Sequence, residues 1–393
     1  MSVFDELIGQ DDVVAILRRA ADAAAEVVAG RPGSGMTHAW MFTGPAGSGR
    51  SVAARAFAAA LQCSNGGCGQ CGACHTVMSG THADVRNVVP DGLTIGVADM
   101  RALVVQAASA PSGGRWQIVL VEDADRLTEA AANALLKAIE EPGIRTVFLL
   151  CTPSTHPEDV PVTIRSRCRV VALRTPAPEA VAGLLTSRDG IPANRAQWAA
   201  QAAQGHVGRA RRLARDEEAA SRRAAVLAIP RSLTNLGACF AAASELIAAS
   251  EAEAAAYSSE RDAGEIEALN QAYGAGGTGK GAAQVARGAA GARKELEKRQ
   301  KSRATRAQRD ALDRALVDLA AFYRDVLTVK LAGEQLRLVH PDMESSAAAA
   351  AARWSAESIV RRIDAILECQ NAIAVNVKPK IAVESMMLAL HQG

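Results

Sequence analysis

A four-residue apolar run, Ile118, Val119, Leu120 and Val121, followed at once by Glu122, Asp123 and Asp125, sets the terms for the fold. A strand with no polar face must be covered on both sides, which is how parallel sheets of α/β proteins are built. An Ala-rich segment at 130–140 has helical character and stops at Pro142 and Gly143. A second buried strand is expected at 146–151. A polar loop with Pro153, Pro157 and Pro161 then leads to Ser166, Arg167 and Cys168. Strand, acidic tip, helix and strand form a βαβ unit, and such sheets place ligands at the C-terminal ends of their strands. The fold class is α/β, and the acids read as a metal–nucleotide site.

A strand at 39–43 runs into Gly44-Pro45-Ala46-Gly47-Ser48-Gly49-Arg50-Ser51, and strand, Gly-rich turn and helix are the context of a P-loop. Gly44, Gly47 and Gly49 let backbone N–H groups close around phosphate oxygens, and the helix N-terminus adds partial positive charge. Ser51 suits Mg²⁺. Arg50, however, stands where the pattern requires lysine. A forked guanidinium cannot sit as a compact point charge between phosphates. The expectation is a P-loop fold with weak ATP/Mg²⁺ binding and poor hydrolysis.

Between the P-loop and the acidic strand lie Cys63, Cys68, Cys71 and Cys74, spaced C-x4-C-x2-C-x2-C among glycines. The start of the chain lacks a signal-peptide pattern and no apolar run approaches a membrane span, so a cytoplasmic location with reduced thiols is expected. Clustered cysteines then argue for metal, and four thiolates close a tetrahedral Zn²⁺ shell, making the ion structural. The rivals are an iron–sulfur cluster, against which Met78 stands where the next cysteine would fall, and a set of redox thiols. His75 is a substitute ligand or an ordinary surface residue. A net charge of +2 announces no nucleic-acid or membrane partner. With 3% aromatic residues and abundant alanine, helix packing is favoured over a β-sandwich, and 393 residues allow two or three domains.

The runs Asn133-Ala134-Leu135-Leu136-Lys137, Glu140-Glu141-Pro142 and Ser166-Arg167-Cys168 resemble those of bacterial clamp-loader AAA+ subunits. So do the opening residues 4–10, which in that family pack beside the adenine pocket, and the cysteine module. The resemblance implies that Arg167 is an arginine finger, reaching the γ-phosphate bound by a neighbouring subunit, with Arg165 and Arg169 as partner or phosphate contacts. Motor subunits of the family end the acidic strand with Asp-Glu, for Mg²⁺ and for the attacking water. Here Glu122 and Asp123 reverse that order. Sensor-1 chemistry falls on Thr152, with Ser154 or Thr155 as alternates. In the sensor-2 region Gly208 takes the place of the motor's arginine, and Arg209 comes one residue late. A one-residue slip turns a helical side chain by about 100°. These departures resemble the δ′ class of subunit, and the alternative is an active γ/τ-like ATPase. The implied partners are γ/τ and δ subunits in a five-subunit ring, the sliding clamp, and primed DNA reached through the complex, with no membrane contact.

The expected domains are a P-loop AAA+ domain at 1–173 with its zinc module at 63–74, a helical lid at 174–215, and a helical C-terminal collar at 216–393. Lid helices are expected at 175–185 and 194–204. A Gly/Ala-rich flexible connector is placed near 274–291. Its residues 274–281 imitate a P-loop, but no strand precedes them and Gly281 replaces Ser/Thr. Residues 293–314 carry nine basic and four acidic residues at helical spacing, read as a solvated face or a contact to DNA or a partner. Apolar stripes at 312–331 and 356–390 close the chain, with Pro379 starting or kinking the last helix.

Overall fold

The structure, a computed structural model, describes residues 2–272, 282–332 and 338–393, so the P-loop imitation at 274–281 lies outside the described residues. It divides into two compact units, Met1–Arg215 and Asp216–Gly393.

The first unit is built on a five-stranded, all-parallel sheet in the order β2-β3-β4-β1-β5. Its strands are β1 (Ala39–Thr43), β2 (Val85–Val88), β3 (Gln117–Val121), β4 (Thr146–Thr152) and β5 (Arg169–Ala172). Every residue of β1, β3 and β4 is buried, as their unbroken apolar character requires. On one face Trp40, Phe42, Leu120 and Leu149 pack against Leu17 of α1 (Asp11–Val28) and Phe57 of α2 (Arg50–Gln62). The Trp40 and Phe57 rings meet edge to face at 4.9 Å. On the other face Met41, Val121, Phe148 and Leu150 meet Met100 of α4 (Val97–Ala107) and Leu135 of α5 (Glu129–Glu140). Thr128 caps α5, accepting a hydrogen bond from the Ala131 N–H.

Elements that go beyond the sequence expectations include α3 (Gly72–Met78), the short α6 (Val162–Arg165) and the edge strand β5. Arg165 and Arg169, expected as partner or phosphate contacts, hold their own chain. Arg165 donates to the Thr155 carbonyl, while Arg169 donates to that of Gly35 and lies 4.9 Å over the Trp40 ring. Three helices complete the unit: α7 (Pro178–Ser187), α8 (Ala193–Ala202) and α9 (Val207–Arg215).

The second unit is all helical among its described residues: α10 (Glu217–Ser232), α11 (Leu236–Ala272), α12 (Ala282–Ala332), α13 (Glu344–Arg353), α14 (Ala356–Ala374) and α15 (Pro379–Gln392), with one 3₁₀ turn. Leu227, Leu246, Leu316, Tyr323, Ile366 and Met387 are among its core residues. Residues 282–291, expected in the connector, are the first turns of the 51-residue α12, and Pro379 opens a separate helix. Further out along α11 and α12 charge replaces apolar packing. Buried Arg303 on α12 pairs with Asp262 and Glu265 of α11, each at 2.6 Å. Hydrogen bonds from Arg303 hold the Glu265 carboxyl down at about 2. No described helix is long and apolar enough to cross a membrane.

Candidate functional site

The P-loop leaves β1 at Thr43 and enters α2 at Arg50. Gly49, the N-cap residue, has φ 90°, and Gly47 has φ 85°, a region that L side chains rarely adopt. A β-carbon on Gly47 would also come within 2.6 Å of the His206 Cβ, so the residue that leads into α9 rests on the loop itself. Beside this contact lies a cavity of about 350 Å³, lined by Leu7, Ile8, the P-loop from Ala46 to Val52, Leu184, His206 and Arg211. It gathers Gly47, Gly49, Arg50 and Ser51 of the expected nucleotide residues. Gly44, Glu122, Asp123 and Thr152 do not line it.

Those others line up along the strand ends. Thr43 pairs in register with Thr152, and Val121 with Leu150, so Glu122 and Asp123 follow directly on the C-terminal end of β3. One strand separates β3 from β1, which sets the acidic tip roughly 10 Å from the P-loop strand. Glu122 Oε1 accepts from Arg55 Nη2 at 2.9 Å and from Asn87 Nδ2 at 3.0 Å. Asp123 has φ 53°, a left-handed conformation that Asp tolerates better than most residues. Burial raises the Asp125 carboxyl above its ordinary range; Asp123 adds to the rise, while Arg126 and Arg50 oppose it. Arg50 Nη1 is buried without a hydrogen-bond partner. Burial also pushes the Cys151 thiol up to about 12, opposed by Arg50 and by a hydrogen bond with Ser51. The guanidinium therefore acts on the acidic side of the site. Thr152 is fully buried and its hydroxyl donates to the Ser154 carbonyl, while the Ser154 hydroxyl donates to Asp159.

Two residues here carry no role in the sequence expectations. Arg211 lines the cavity, three positions past Gly208 and thus on the same side of α9. Its Nε donates to Asp189 at 2.7 Å, and Asp189 also faces Arg215 at 3.4 Å. His206, two residues ahead of Gly208, is the other. Gln10, the last of the opening residues 4–10, is the N-cap residue of α1 but makes no side-chain cap hydrogen bond. It instead donates to the Ser48 carbonyl and exchanges hydrogen bonds with the Arg174 backbone, tying the P-loop to the segment after β5.

Cys63 at the end of α2 and Cys71 and Cys74 at the start of α3 (Gly72–Met78) converge with Cys68, all four sulfurs lying within 4.8 Å of one another. Cys63 Sγ lies 3.7 Å from Cys68 Sγ and 3.6 Å from Cys71 Sγ. A tetrahedral ion with bonds of about 2.3 Å sets its ligands about 3.8 Å apart, so the cluster fits Zn²⁺. Burial raises the Cys63 thiol, but N–H groups of Cys68, Asn65 and Gly67 outweigh it and bring it to about 6. His75 is exposed and stands outside the cluster. The module is anchored at both ends: the Val3 N–H donates to the Gly67 carbonyl at 3.0 Å, and Arg115 Nη1 to that of Cys63 at 2.6 Å.

Arg167 follows α6 on the surface. Its Nη2 lies 2.8 Å from Glu140 Oε1, and its Nη1 donates to the Thr163 carbonyl at 2.9 Å.

Residues 32–177 match the family described as DNA polymerase III, delta subunit. The P-loop domain is similar in sequence to clamp-loader subunits of DNA polymerase III. Its relatives include the subunit delta′ of Pseudomonas aeruginosa, 40% identical over 37% of this chain and 45% of that protein. The subunit delta′ of Bacillus subtilis is 33% identical over 49% and 58%. The subunit gamma/tau of Mycobacterium tuberculosis is 36% identical over 46% and 30%. The chain thus spans between three tenths and three fifths of these relatives' lengths, and both clamp-loader classes resemble it to similar degree. Among solved structures, a DNA polymerase III gamma subunit-related protein of Thermotoga maritima covers 95% of the chain at 14% identity with a TM-score of 0.38.

Proposed function

We propose that this chain is a δ′-type clamp-loader subunit. In this reading it joins γ/τ and δ subunits in a five-subunit ring, which uses ATP to open the sliding clamp and load it onto primed DNA. Its own ATPase is weak or absent, and Arg167 serves the nucleotide of a neighbouring subunit. The observation that carries the reading is the contrast between the two arginines. Arg50 replaces the P-loop lysine and has a buried Nη1 without a hydrogen-bond partner, whereas Arg167 is presented on the surface in a Ser-Arg-Cys run. Two further features support it. Glu122 is engaged by Arg55 and Asn87, and His206 lies against Gly47.

Residues 1–173 then form the AAA+ domain, 174–215 its lid, and 216–393 the collar. The four cysteines hold a structural Zn²⁺ that fixes α2 to α3. No ligand position is left over for chemistry at the metal.

The second reading, an active γ/τ-like ATPase, is favoured by the cavity itself, which keeps Ser51 and places Arg211 near the P-loop. ATP hydrolysis by the isolated chain separates the two. The δ′ reading expects no turnover above background, and robust turnover would replace it with the motor reading.

A further inference from the structure

Glu140, the last residue of α5, touches neither the nucleotide cavity nor the cysteine cluster. A carboxylate in the last turn opposes the helix macrodipole, so α5 gains nothing from it. What Glu140 does meet is Arg167, from a separate element, at 2.8 Å. Both side chains stay accessible, at 42% for Arg167 and 41% for Glu140. The other edge of the guanidinium is taken by the Thr163 carbonyl and the Ser166 hydroxyl, at 2.9 and 3.3 Å. An exposed arginine otherwise wanders over many rotamers, and a finger must reach a single phosphoryl group.

We propose that Glu140 is the positioning residue for Arg167, holding the guanidinium aimed outward until a neighbour's phosphate displaces the carboxylate. The proposal rests on Arg167 acting in trans, as argued above. The strength of the contact suits the task. An exposed, solvent-screened ion pair is weak, so it narrows the arginine's rotamers without competing seriously against a multiply charged phosphate.

The test is a double-mutant cycle in the reconstituted clamp loader, with steady-state ATPase measured for Glu140→Gln, Arg167→Ala and the double variant, and Glu140→Asp as the conservative control. Glu140→Gln is expected to lower kcat about two- to fivefold, the range an exposed pair supplies, with the KM for ATP unchanged. Glu140→Asp should keep most of the rate, and Glu140→Gln should change nothing once Arg167 is alanine. An unchanged or raised kcat for Glu140→Gln, with Arg167→Ala crippling, overturns the positioning role alone. An equal loss in both backgrounds overturns it too, because Glu140 would then act through the fold. If Arg167→Ala itself leaves the rate intact, the trans-finger reading fails first and the proposal falls with it.

Discussion

Arg50→Lys isolates one departure of the P-loop from the others. The wild-type guanidinium has a buried Nη1 without a partner and acts on Asp125 and Cys151, on the acidic side of the site. Lysine is shorter, sheds the orphaned donor, and offers the compact ammonium that phosphates need. One regained charge-assisted hydrogen bond is worth about 1.5–3 kcal/mol, so ATP affinity should tighten roughly 10- to 150-fold. The assay is titration calorimetry of ATP with Mg²⁺ into wild type and variant. Turnover should nevertheless stay near background. Glu122 is still held by Arg55 and Asn87, the Glu122–Asp123 order is still reversed, and His206 still lies on Gly47. Unchanged affinity would refute the assignment of Arg50 as the defect in binding. Motor-level turnover by the single variant would refute the claim that the site departs in several independent ways.

Other outcomes follow from the same geometry. One Zn²⁺ per chain should be found by metal analysis, and Cys68→Ser should abolish it. That variant is expected to lose about 4 kcal/mol from the first unit, or roughly 8–16 °C in Tm; an unchanged Tm would mean that the module carries no metal. In the second unit, His340 is buried, its Nδ1 is 2.8 Å from Arg223, and Asp318 and Asp325 lie near it. Burial, then Arg223, lowers its pKa, so below about pH 6.5 the unfolded chain takes up a proton that the folded one resists. Stability should therefore fall as pH drops below about 6.5, and His340→Gln should flatten that slope in thermal melts between pH 5 and 8.

The parts of the fold legible in the sequence are those whose signal is local. Unbroken apolar runs at β1, β3 and β4 forecast strands covered on both faces, and the cysteine spacing forecast the convergence of four sulfurs. Edge strand β5 escaped because, of its four residues, only Val171 is buried, which leaves too little pattern to read. Contacts that depend on how distant segments meet were invisible as well. Nothing in the run after Gly205 says that His206 will lie on a loop 159 positions earlier, or that Arg211 will reach the cavity while Asp189 holds it. Gln10 is the N-cap residue of α1, yet its amide is used between the P-loop and the backbone of Arg174. Arg169, beside the expected functional arginine, likewise meets the Trp40 ring and the Gly35 carbonyl of its own chain, contacts that no local pattern announces.

The central claim is that this chain lends an arginine rather than turning over ATP itself. The most direct measurement is ATP hydrolysis by a reconstituted clamp loader containing wild type or Arg167→Ala, beside the isolated chain. The account predicts a silent isolated chain and, at the site facing Arg167, a loss on the order of the 10³–10⁵ that arginine fingers supply elsewhere. An isolated chain that hydrolyses ATP, in a complex indifferent to Arg167→Ala, would contradict it.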